Sequence, residues 1–104
     1  MNKKNNINKV DELKRLLIKI LKTNGRLKKL LVKEFEDKLN LYYEKNKSFP
    51  EKDVDVIFNE LLVDLAYYQP NPIIRLTDKK HLFGDKELNK RIKEALNELN
   101  IIKM

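Results

Sequence analysis

Residues 48–72 read SFPEKDVDVIFNELLVDLAYYQPNP, and the reading of this stretch decides the fold. Ser48-Phe49-Pro50-Glu51 carries the signs of a helix start, with Ser48 as N-cap, Pro50 in the first turn where no amide is needed, and Glu51 closing a capping box. Gln69-Pro70-Asn71-Pro72 forbids continuation, because proline lacks an amide hydrogen and restricts the residue before it. Between these limits Val54, Ile57, Phe58, Leu61, Leu62, Leu65 and Tyr68 share one wide arc at about 100° per residue. The spacing predicts an amphipathic helix that runs to about Tyr68.

The neighbouring segments repeat that rhythm. Residues 1–8 are polar and unpatterned and predict a loose N-terminus. From Lys9, residues Val10, Leu13, Leu16, Leu17, Ile20 and Leu21 recur at helical spacing, and Asn24-Gly25 ends the pattern. Leu27, Leu30, Leu31, Phe35, Leu39 and Tyr42 predict a second helix to about Glu44, antiparallel to the first across a short link. After the third helix, residues 69–85 form a long connection holding Ile73, Ile74, Leu76, Leu82 and Phe83, too apolar for a linker, which predicts a strap across the core. Asp85 is the expected N-cap of the last helix, with Leu88, Ile92, Ala95, Leu96 and Leu99 inward and Ile101 and Ile102 docking the C-terminus. The alternation of strands is nearly absent. The expected architecture is all-α: one domain over residues 1–104, a compact bundle of about four main helices with the apolar strap between the third and the last.

The 104 residues include 23 Lys and Arg against 16 Asp and Glu, no Cys and two Gly. The excess is local: residues 1–33 hold 11 basic and 2 acidic side chains, a balance of +9, and residues 34–104 hold 12 and 14, a balance of −2. A basic first third suits phosphates or an anionic membrane surface. However, Lys outnumbers Arg 19 to 4, and arginine is the residue of bidentate phosphate and guanine recognition. A small nucleic-acid-binding protein using Lys14, Arg15, Lys19, Lys22, Arg26, Lys28, Lys29 and Lys33 is therefore the second reading. No run approaches the roughly 18 apolar residues of a membrane span. The first helix has no Trp or Phe to seat in an interface, no cleavable signal pattern is present, and the expected address is the cytoplasm without membrane attachment.

Catalytic chemistry finds little to work with. Gly25 and Gly84 alone cannot build a phosphate loop or a dinucleotide fingerprint. A nucleophilic triad would need Ser48 and His81, and Ser48 is already assigned as a cap. His81 lies between Asp78 and Asp85, a set that can bind a metal or act as acid–base, but a lone loop histidine is ordinarily a solvated or capping side chain, and Asp53-x-Asp55 lacks the glycine of a calcium loop, Phe58 standing in its place. No enzyme, cofactor or metal is expected.

The third helix carries a second apolar face. Asp53, Glu60 and Asp64 fall within about 40° of one another along one edge, and beyond them lie Val56, Val63 and Tyr67, where a surface helix is ordinarily polar. Either the strap covers this face and the acids are solvated, or a partner does. The second alternative makes Asp53, Glu60, Asp64, Tyr67 and Tyr68, with Asn71 and Asp78 from the loop, a protein-binding patch of aromatic anchors inside an acidic rim. Such a patch fits a basic surface, as the active site of a nuclease presents.

The run Glu60-Leu61-Leu62-Val63-Asp64-Leu65-Ala66-Tyr67-Tyr68-Gln69-Pro70-Asn71-Pro72, followed by Phe83-Gly84-Asp85-Lys86-Glu87-Leu88 and a final amphipathic helix, resembles small all-helical immunity proteins. These accompany the toxins of bacterial contact-dependent growth inhibition and related polymorphic toxin systems. The resemblance covers the C-terminal half and implies a cytoplasmic inhibitor, monomeric or in a 1:1 complex. It would bind one cognate toxin domain, often a nuclease acting on RNA, and block its active site.

Overall fold

Helix formation follows the apolar rhythm closely but not at its ends. The computed structural model describes the backbone of residues 3–102 and the side chains of residues 9–102. Helix α1 spans Lys3–Leu21, α2 Arg26–Asn46, α3 Lys52–Leu65, the single turn α4 Pro72–Arg75, and α5 Asp85–Ile101, with a 3-10 turn at Leu76–Asp78 between α4 and α5. The chain is all-helical, and no strand occurs among the described residues. None of the described helices is long and apolar enough to cross a membrane. Helix α1 begins inside the segment expected to be loose, since once a helix is nucleated Asn and Lys extend it at small cost; Met1 and Asn2 lie outside the described residues.

Helix α1 packs on α2 and α5, and α3 packs on the same two helices, which closes a ring around one core. Leu13, Leu17, Ile20, Phe35, Leu39, Val54, Phe58, Leu88, Ile92 and Leu99 are fully enclosed there. At the end of the ring where α2 meets α3, Phe49 stacks on Tyr42 at 4.1 Å and lies 5.1 Å from Phe58. Burying that ring displaces the expected cap. Ser48 is not the N-cap: α3 starts four residues later behind Glu51, and the amide of Phe49 donates to the Asp55 carboxylate at 3.1 Å. Lys47 takes a positive φ of 66° with ψ −44°, and the Ser48 amide donates to the Asn46 carbonyl at 2.7 Å. This is the strained form of the three-residue turn.

The connection after α3 also departs from the expectation. Helix α3 stops at Leu65, and Tyr68 and Phe83 form an isolated bridge in which the Gln69 amide donates to the Phe83 carbonyl at 2.8 Å and the Phe83 amide to the Tyr67 carbonyl at 3.1 Å. Only Phe83 of the apolar strap is buried and Leu82 is half-buried, whereas Ile73, Ile74 and Leu76 are exposed. Arg75 occupies the inward position, donating to the carbonyls of Gln69 at 2.7 Å and Pro70 at 3.0 Å. A Cβ on Gly84 would lie 2.6 Å from that guanidinium, so glycine makes room for it. Gly84 stands at the cap position of α5 and Asp85 within its first turn, and Ile102 packs on the core while Ile101 is exposed.

The largest surprise is in α2. Leu27 and Leu30, expected inward, are 55% and 59% exposed, and the position that is fully buried belongs to Lys28. Its ammonium donates to the carbonyls of Ile20 at 3.1 Å and Thr23 at 3.2 Å and to the Asn89 side-chain oxygen at 2.6 Å. Burial pulls its pKa below the ordinary lysine value, opposed by the Asp85 charge. Lys28→Met keeps most of the stem but abandons three acceptors, and should lower stability by about 2 kcal/mol in urea unfolding, whereas Lys29→Met on the exposed face should stay within about 0.5 kcal/mol. Lys47→Gly, which removes the Cβ from the strained turn, should raise stability by about 1 kcal/mol in the same measurement.

Candidate functional site

The outer side of α3 is open. Asp53, Val56, Glu60 and Val63 are exposed along it, and Tyr67 is exposed just beyond its end. Val63 shows 62% of its surface, so the reading in which the 69–85 connection covers this face is corrected. That connection instead holds itself by local bonds: the Asn71 side chain accepts from the amides of Ile73 at 2.9 Å and Ile74 at 3.4 Å, and Pro72 fills the first turn of α4. An Asn-Pro start seals a helical turn without help from the core.

Of the seven residues expected to meet a partner, Asp53, Glu60 and Tyr67 are exposed on the outer side of α3 or directly after it, and Asp64 is half-buried at its edge, paired with Arg91. The other three have internal duties. Tyr68 is half-buried, its hydroxyl donating to Asp85 at 2.5 Å and its ring tilted against Phe83 at 6.3 Å. Asn71 caps α4. Asp78 sits 3.0 Å from Nδ1 of His81, whose ring lies 5.9 Å from that of Tyr67.

Helix α5 supplies what the reading of the sequence left out. A shallow groove between α3 and α5 is lined by Ile57, Glu60, Leu61 and Asp64 on one side and Arg91, Glu94, Ala95 and Glu98 on the other. The hollow below it is lined by Asp53, Val56, Glu98 and Ile101. Five carboxylates therefore follow one seam, with Arg91 among them. Its guanidinium pairs with Asp64 at 2.9 Å and Glu87 at 3.1 Å and stacks over Phe83 at 4.5 Å. The signal for these residues was present: positions 87, 91, 94 and 98 fall in one narrow stripe of a helix, beside its apolar face.

The seam presents carboxylate acceptors around Arg91. Exposed aliphatic side chains beside it add area that water does not satisfy. The chain was compared with protein-family models, curated proteins and solved structures, and none matches.

Burial and the bond to Asp85 push the Tyr68 phenol well above its ordinary value of 10.0, and burial with the bond to Asp55 does the same to Tyr43. The unfolded phenols ionise near pH 10 while the folded ones keep their protons, so this contribution to stability is present below about pH 10 and is lost as pH rises beyond it. The thermal midpoint of the native chain should fall above pH 10, and Tyr68→Phe, at a cost of about 1 kcal/mol at neutral pH, should make that fall shallower.

Proposed function

We propose that the chain is an immunity-type inhibitor, which binds a cognate toxin domain one to one and occludes its active site with the α3–α5 face. A nuclease acting on RNA is the favoured target. In this reading a bundle of four main helices is the scaffold, and its acidic seam is the working surface. The observation that carries the proposal is the row Val56, Val63 and Tyr67, left exposed alongside the acidic edge of Asp53, Glu60 and Asp64.

The chemistry supports this occupant. A nuclease site is built to receive phosphates, so it offers Lys, Arg or metal-bound positive charge, and carboxylates at the spacing of a helix can take the place of those phosphates. Charges at the rim steer the approach, while the aliphatic and aromatic side chains provide the area that holds the complex. The positive balance of the whole chain does not oppose this. Salt screens exposed charges over about 8 Å at physiological ionic strength. The molecule measures 46 × 24 × 21 Å, so the lysines of the opposite face lie beyond that range. The resemblance to immunity proteins points to the same class on separate grounds.

The direct test is to look for a toxin gene next to the one that encodes this chain and to measure rescue from its product, with binding measured on the purified pair. Asp64→Lys would also break the ion pair to Arg91, so Glu60→Lys with Val63→Ser is the cleaner variant. It should keep its helical spectrum, bind at least tenfold more weakly by calorimetry, an effect of about 1.4 kcal/mol or more, and lose protection. Full protection by that variant, or loss of protection on changing only Lys19 and Lys22, would exclude the α3–α5 face.

A further inference from the structure

The turn between α1 and α2 and the connection between α3 and α5 lie at the same end of the molecule. Lys28 in the first turn of α2 bonds the carbonyls of Ile20 at the end of α1 and Thr23 in the turn after it, together with Asn89 near the start of α5, and Tyr68 just past α3 bonds Asp85 in the first turn of α5. This end gathers aliphatic side chains that nothing in the chain covers. Ile73 and Leu76 are 75% and 62% exposed on a turn whose inward position belongs to Arg75, and Leu27 and Leu30 stand out beside the buried Lys28. Lys22, Arg26 and Lys29 from the first of these segments, with Lys79, Lys80 and Lys86 in or next to the second, are exposed at the same end. The acids here are engaged: Asp78 with His81, Asp85 with Tyr68, and Glu87 with Arg91.

We propose that this end of the molecule docks on an anionic lipid bilayer, with Ile73 and Leu76 entering the interface and the surrounding lysines resting on the headgroups. Aliphatic side chains ringed by cations are what a peripheral protein presents to such a surface, because insertion and charge attraction each contribute where neither alone holds. Nucleic acid would use the lysines, but contacts to phosphates leave Ile73 and Leu76 facing water. A protein partner for this end would need an acidic surface with an apolar centre; a bilayer offers both over any area. The surface is not legible from the first helix, which has no Trp or Phe, because the inserting residues come from the connection after α3. The acidic seam runs along the side of the bundle and is repelled by the same lipids, which fixes the orientation. This docking does not depend on the toxin-inhibitor reading.

The test is sedimentation of the full chain with vesicles of phosphatidylcholine, alone or with about one-third phosphatidylglycerol. The native chain should sediment with the mixed vesicles and stay in solution with the neutral ones. Ile73→Ser with Leu76→Ser removes apolar groups from exposed positions, should leave the thermal midpoint unchanged, and should reduce partitioning by roughly tenfold or more. Lys79→Glu with Lys80→Glu should also reduce it. No sedimentation with the anionic vesicles overturns the proposal. So does partitioning that the serine variant leaves intact and that RNA of equal phosphate concentration abolishes, since the lysines would then be binding polyanions in general.

Discussion

The Lys28 ammonium sets the register among α1, α2 and α5. Apolar packing is non-directional, and a helix can slide or rotate against its neighbours with modest loss. A buried ammonium cannot, because each N–H that loses its acceptor costs free energy at once. Here all three are satisfied, one by the Ile20 carbonyl at the end of α1, one by the Thr23 carbonyl in the turn after it and one by Asn89 of α5. The carbonyls at a helix C-terminus carry its negative end, so the Lys28 charge adds to the local capping by Thr23, whose hydroxyl donates to the Lys19 carbonyl at 2.7 Å. With Lys28 inward, its neighbours at one residue before and two after are rotated out, and both are leucines.

Arg75 repeats the arrangement in the connection between α3 and α5. It takes the inward position of a four-residue turn, seats its guanidinium on two carbonyls, and leaves Ile73 and Leu76 facing water. Gly84 is the partner in this arrangement, since any side chain there would meet the guanidinium. Two cations therefore hold places that the aliphatic pattern claimed. Their polar satisfaction is what moves apolar surface to one end of the molecule.

This explains which parts of the structure were legible from residue order alone. The helical class and the inward faces of α1, α3 and α5 follow from spacing, because Leu13, Leu17, Phe58, Leu61, Leu88 and Ile92 have no competing partner. Tertiary bonds decided the rest. Ser48 reads as a cap, but stacking Phe49 on Tyr42 outweighs one side-chain hydrogen bond. Tyr68 reads as an outward anchor, but its hydroxyl finds Asp85 from a distant helix. Asp53, Glu60 and Tyr67 lie where helical geometry put them, while Glu94 and Glu98 joined the same seam only when α5 was packed beside α3.

The resulting surface is divided by charge in a way that composition conceals. A net charge of +7 describes neither the seam of Asp53, Glu60, Asp64, Glu94 and Glu98 nor the lysines around the α1–α2 turn. Each acts on what comes within about a Debye length, so the two regions can meet different partners without cancelling. The direction of the separation matters as well. Because the acids line the side of the bundle and the cations its end, a negatively charged surface that holds the end leaves the seam turned outward, within reach of a basic protein.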